Sequence, residues 1–100
     1  MLPANNQTYH PLVSVITVNY NNTAVTCELL ASLHKISYPR LEVIVVDNAS
    51  AVDPTHEIIG RFPTVKMIRS EENRGFAGGN NLGIQAAAGK YLFLVNNDTE

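Results

Sequence analysis

A single cysteine, Cys27, leaves no partner for an internal disulfide. No Cys/His spacing of the zinc-site kind accompanies it, which fits a reducing compartment and a thiol used for packing. Basic residues are scarce too: seven Lys and Arg stand against nine Asp and Glu, spread along the chain for a formal net charge of −2. Without a basic stripe there is no footprint for a nucleic-acid backbone, so nucleic acid is not an expected partner. No apolar stretch approaches the roughly 20 residues that span a bilayer. The opening MLPANNQTYHP lacks both the basic start and the apolar run of a secretory signal. These absences predict a soluble chain in the cytoplasm. Repeats, low-complexity tracts and linkers are also missing, and residues 1–11 are the one stretch expected to be flexible.

What is present suits one small core, since 45% of 100 residues are hydrophobic and 16% are charged. One domain is expected over residues 12–100. Apolar, β-branched runs at Val13 to Val18, Leu41 to Val46, Val65 to Ile68 and Tyr91 to Val95 predict four strands. The second and fourth runs are apolar at nearly every position, as strands covered by helices on both faces require, and this argues for a parallel sheet.

Helical spacing separates the runs. Val25, Leu29, Leu33 and Ile36 predict a helix from about Thr23 to Ser37, capped by Asn22 and closed by Pro39. A shorter helix follows Asp53 and Pro54, buries Ile58 and Ile59, and ends at Gly60 and Pro63. A third is expected to begin near Gly78 or Gly79, run through Leu82, Ile84, Ala86 and Ala87, and end on a left-handed Gly89. The pattern βαβαβαβ with right-handed crossovers gives a three-layer α/β/α, Rossmann-like sandwich. Its expected strand order is 3-2-1-4, with the switch point between strands one and four.

Ligands of open α/β sheets bind at the carboxyl ends of the strands near that switch. There the chain reads Asn19-Tyr20-Asn21-Asn22, Asp47-Asn48-Ala49-Ser50 and Asn96-Asn97-Asp98. All three polar tips are expected to meet at one cleft. A fourth segment, Asn73 to Asn81, carries three glycines into a helix start, where backbone N–H groups face an anion. Its glycines equally suit close packing of helix on sheet.

Taken in order, VSVITVNYNN, LEVIVVDNAS, ENRGFAGGNNLGI and AAGKYLFLVNNDTE resemble family 2 glycosyltransferases of the GT-A fold, over Leu12 to Glu100. The wording is most similar to rhamnosyltransferases of bacterial surface polysaccharide synthesis. The resemblance implies a truncated GT-A nucleotide-sugar-binding domain that takes a UDP- or dTDP-sugar. Asp47 and Asn48 then read the base, although the first of them also suits an Asx turn. Tyr20 stacks on the base ring, with Val18 and Asn19 shaping its pocket. Arg74 pairs with phosphate, and Gly78, Gly79, Asn80 and Asn97 line the sugar-diphosphate site.

The same resemblance sets the Asn96-Asn97-Asp98 segment where the family has its Asp-x-Asp metal motif. Asp98, assisted by Asn96, is the implied ligand of Mn²⁺ or Mg²⁺ shared with the diphosphate. Asn96 replaces the first acidic position, so metal affinity without donor is expected to be weak. Inverting transfer to a saccharide or lipid-linked acceptor needs a general base, which the family supplies downstream. None of Glu71, Glu72 and Glu100 is placed to replace it, so this part of the enzyme is expected not to turn over. The full-length enzyme is expected in the cytoplasm or at the cytoplasmic face of a membrane, and the outer edge of strand four is a candidate for self-association.

Two rivals remain. A dinucleotide-binding Rossmann domain needs G-x-G-x-x-G after strand one, where the chain reads N-Y-N-N. The other is a non-catalytic nucleotide-binding or assembly module. His10, His34 and His56 show no ligand spacing and carry no assigned role.

Overall fold

The computed structural model describes residues 9–96. Four strands, β1 (Val13–Asn19), β2 (Leu41–Asn48), β3 (Lys66–Ser70) and β4 (Tyr91–Leu94), alternate with three helices, α1 (Thr23–His34), α2 (Thr55–Arg61) and α3 (Gly75–Ala86). All pairings are parallel and the strand order is β3-β2-β1-β4, so the predicted sandwich and its switch point between β1 and β4 are present.

Strand parity divides the core in two. Val45 packs with Cys27, Leu30, Ile58 and Val65 beneath α1 and α2. Its neighbours Ile44 and Val46 join Ile16 and pack against Val18, Leu82 and Ala86 on the α3 side. Successive side chains of a strand point to opposite faces. The middle of β2 is therefore apolar because both of its faces are covered, and Ile44, Val45 and Val46 are wholly buried. Cys27 is packing material, and burial pushes its thiol pKa up.

β4 departs from the expectation that it too is covered on both faces. Tyr91, Leu92, Phe93 and Leu94 are between 41% and 60% exposed. Among the described residues the strand lies at the end of the sheet and pairs with β1.

Several element boundaries shift for local reasons. α1 stops at His34, before the expected Ser37, because Lys35 N–H bonds Ser32 O and Ile36 N–H bonds Leu33 O, tightening the last turn. Asn22 precedes α1 without a side-chain cap bond. Asp53 does hold the start of α2: its carboxylate accepts from Thr55 N–H and hydroxyl, bonds that keep its pKa below the usual range. α3 begins at Gly75, not at Gly78 or Gly79. The left-handed glycine is Gly75, with φ +74°, and Gly89 is not left-handed. Gly89 is instead required by contact, since a Cβ there would lie 2.7 Å from the Ser14 backbone nitrogen. Of residues 1–11, two carry bonds to the loop before β2: Tyr38 hydroxyl donates to Pro11 O, and Arg40 Nη1 donates to His10 O.

The end of the sheet away from the polar tips is clasped by Glu42. Its carboxylate accepts from Ser14 Oγ at 2.6 Å, Lys66 Nζ at 2.8 Å and Ala88 N–H at 2.9 Å, tying together β1, β2, β3 and the turn before β4. The Lys66 bond, then those from Ser14 and Ala88, lower its pKa from 4.5 to about 2. A lowered carboxyl pKa stabilises the fold above the unfolded value, and the contribution fades as pH falls through the folded value. Glu42→Gln is therefore expected to lose about 2 kcal/mol near neutral pH, allowing for the half-exposed lysine. Urea unfolding of both proteins at successive pH values should show the gap closing between 4.5 and about 2.

Candidate functional site: a cleft at the switch point

The carboxyl ends of β1, β2 and β4 open into a cleft of about 370 Å³. Val18, Tyr20 and Asn22 line it from β1 and the loop after it, buried Asn48 from β2, exposed Asn96 from beyond β4, and Asn73, Gly75 and Phe76 from the start of α3. Asn96 arrives there by register, because two residues past the Ile16–Leu94 pair it comes level with Val18. Tyr20 and Phe76 are 49% and 54% exposed, leaving two aromatic faces available to a planar ligand.

Adjacent residues at the tip of β2 have opposite duties because they point to opposite faces. Asn48 turns to the α3 side, where its amide oxygen accepts from Arg74 N–H at 2.9 Å and its Nδ2 donates to Gly75 O at 3.0 Å. An amide carries two donor hydrogens and two acceptor lone pairs, so one of each remains for a ligand. These bonds also explain why α3 starts early: a side chain from another strand meets an N–H that helix geometry leaves unpaired.

Asp47 turns to the α1 side and is wholly buried. Asn19 Nδ2 and Ser50 Oγ donate to Oδ1 at 2.9 and 2.6 Å, while Ser50 N–H and Arg69 Nε donate to Oδ2 at 3.0 and 3.2 Å. Two donors on each oxygen fill the acceptor sites of a carboxylate. Thus the expected contact between Asp47 and a base has no acceptor left to make it, and Asp47 supports the cleft from beneath. Asn19, also expected at the pocket, is buried beside it and accepts from Thr26 Oγ1 at 2.6 Å.

The glycine segment divides in the same way. Gly75 lines the cleft, whereas Gly79 faces the sheet, where a Cβ would lie 3.0 Å from both Val18 methyl groups. Gly78 backs onto the Arg74 side chain and Asn80 is buried in α3; neither lines the cleft. Arg74 is turned aside, its Nε donating to Ser70 Oγ at 3.1 Å and its guanidinium 3.6 Å from Glu72. Asn97 and Asp98, the expected diphosphate and metal residues, lie outside the described residues. Asn22, Asn73, Gly75 and Phe76 belong to segments expected at the cleft, although none of them had a role of its own. The signal available for Phe76 was a large aromatic set among glycines, with no periodic apolar neighbours to bury it.

Among the described residues no group of three or more His, Cys, Asp or Glu is placed to hold a metal ion. The amide oxygens at the cleft are nevertheless hard donors of the kind Mg²⁺ and Mn²⁺ accept, and Asp98 follows Asn96 by two positions. That donor set fits an ion whose remaining ligands come from a diphosphate.

An open parallel sheet with helices on both faces is a doubly wound α/β domain, and the polar cleft lies at the switch point where such domains bind their ligands. The chain belongs to glycosyl transferase family 2, whose family model matches residues 14–100. It is 32% identical to the putative teichuronic acid biosynthesis glycosyltransferase TuaG of Bacillus subtilis, over 90% of this chain and 37% of that protein. A mannosyltransferase from Pyrobaculum calidifontis, solved with GDP-Man and Mn²⁺, superposes with a TM-score of 0.78 at 32% identity, over 91% of this chain and 28% of that one. TarS of S. aureus in complex with UDP-GlcNAc gives 0.77 at 32% identity, over 87% of this chain and 26% of that one. The chain therefore spans about a third or less of the relatives it matches.

Proposed function

We propose that this chain forms the donor-binding half of a glycosyltransferase that moves a sugar from a nucleoside diphosphate to a saccharide or lipid-linked acceptor in cell-surface polysaccharide synthesis. The observation that carries the reading is the convergence of Val18, Tyr20, Asn48 and Asn96 on one cleft at the switch point. Similarity to proteins solved with GDP-Man or UDP-GlcNAc supports a sugar nucleotide as the occupant.

In this reading the base lies against Tyr20 and meets the remaining donor and acceptor of the Asn48 amide, a pairing suited to a ring N–H beside a carbonyl. Asp47 and Asn19 fix that wall from beneath. Because the neighbours include a guanosine and a uridine nucleotide, the donor base is left as purine or pyrimidine rather than restricted to UDP or dTDP. The diphosphate runs toward Asn96, with Asp98 the assigned ligand of Mn²⁺ or Mg²⁺. When bound, that ion neutralises charge on the departing diphosphate. Inversion at the sugar carbon requires a base on the acceptor hydroxyl, and no carboxylate lines the described cleft.

Thermal unfolding with UDP, GDP and NADH, each with and without Mn²⁺, tests the reading. A nucleoside diphosphate at a hundred times its Kd is expected to add about 2.7 kcal/mol. Asp98→Ala should remove the Mn²⁺-dependent part. Stabilisation by NADH alone would favour a dinucleotide-binding domain and defeat the proposal.

A further inference from the structure

Arg69 does not line the cleft, yet its guanidinium reaches the loop that follows β2. It stands at the tip of β3, where Nη2 donates to Ser50 O at 2.6 Å and Nε donates to Asp47 Oδ2 at 3.2 Å. The same Nε lies 3.7 Å from Asp53 Oδ1. One planar fork thus clasps Asp47 and Ser50, with Asp53 a looser ion-pair partner, a geometry that a lysine ammonium does not reproduce. The loop after β2 in turn holds the loop after β1. Ser50 Oγ accepts from Asn21 N–H at 2.8 Å, and Asn21 Oδ1 accepts from Ala51 N–H at 2.8 Å. Tyr20 sits between Asn19 and Asn21, both of which are fixed by this lattice.

Both loops contain a non-glycine residue in the left-handed region, Asn21 at φ 52° and Ala49 at φ 66°. Such conformations persist only where surrounding bonds over-determine them. Ala49 has no side-chain bond of its own to favour this geometry, so it depends on the bonds of Asp47 and Ser50 on either side. The Asn48 side chain has anchors of its own, Arg74 and Gly75 at the start of α3.

We infer that Arg69 is a positioning residue for donor binding, acting through the Asp47–Ser50–Asn21 lattice to hold Tyr20 against the base. The inference rests on the nucleotide reading of the cleft. It predicts that Arg69→Gln lowers the population of the binding-competent loop and weakens nucleoside diphosphate binding about tenfold, in proportion to that population. The sugar is not needed for the effect.

The test is calorimetric measurement of Kd for UDP and GDP, well below the unfolding temperature, in wild type, Arg69→Gln, Arg69→Lys, Tyr20→Ala and the Arg69→Gln/Tyr20→Ala double variant. Glu42→Gln, which removes the clasp at the other end of the sheet, controls for lost stability. Arg69→Gln and Tyr20→Ala should each weaken binding, and the double variant should bind no worse than Tyr20→Ala, because the two act at one contact. Arg69→Lys should recover little, and Glu42→Gln should bind as wild type does. Unchanged affinity in Arg69→Gln, or additive losses in the double variant, would overturn the inference. If wild type binds neither nucleotide, the functional reading fails and the lattice is judged without ligand. Amide hydrogen exchange at Asn21, Ser50 and Ala51 should quicken in Arg69→Gln and stay unchanged in Glu42→Gln, and equal protection in all three proteins would sink the positioning role.

Discussion

Asp47→Ala is expected to lower stability by about 4 kcal/mol, the scale for removing one member of a buried, hydrogen-bonded ion pair. Four donors lose their acceptor at once: Asn19 Nδ2, Ser50 Oγ, Ser50 N–H and Arg69 Nε. Arg69 is only partly buried and recovers some hydration, whereas Asn19 is wholly buried and its Nδ2 keeps only the 3.4 Å contacts to Thr23 and Ser50. Asp47→Asn should be milder, at about 2 kcal/mol, since it retains the volume and one oxygen but aims an NH₂ at donors. Urea midpoints for the three proteins check the order. A loss below about 1 kcal/mol for Asp47→Ala, the size of one ordinary hydrogen bond, would show that the carboxylate is not the hub of this network.

Gly83→Val should cost about 3 kcal/mol through overpacking against the sheet. A Cβ at Gly83 would overlap Ile16 Cγ2, and it would lie 3.3 Å from Val46 Cγ2. Both neighbours are wholly buried β-branched residues with one favoured rotamer, so neither side chain can swing aside. The helix must rise instead. Better helix propensity offsets at most about 1 kcal/mol. Because the start of α3 bonds Asn48, displacement of the helix should also weaken nucleotide binding, which Glu42→Gln should not do. Equal stability of Gly83→Val and wild type would mean that α3 does not approach the sheet this closely.

Much of the fold was legible because it follows from local composition. An apolar run such as Val43 to Val46 calls for cover on two faces, and this led to the parallel sheet. The polar tips were legible too, since Asn, Asp and Ser gather where each apolar run stops, although β1 and β2 continue through Asn19 and Asn48. Less legible was what each polar residue does. The sequence places Asp47 and Asn48 side by side as joint base readers. Their bonds show one supporting the turn from within and the other at the cleft. The glycines misled similarly. Gly78 and Gly79 resembled a phosphate-facing helix start, but the helix begins at Gly75, where an amide from β2 meets the Arg74 N–H.

By itself, then, the chain determined its strands, its helices and the end of the sheet at which polar groups gather, because burial of apolar runs and the ending of strands depend on neighbours in sequence. Only the tertiary structure decided which of those polar groups are available to a ligand. Asn19 meets Asp47 across 28 positions, and Arg69 meets it across 22. Such partners are set by strand register and by which helix covers which face, and neither is written in the residues beside them.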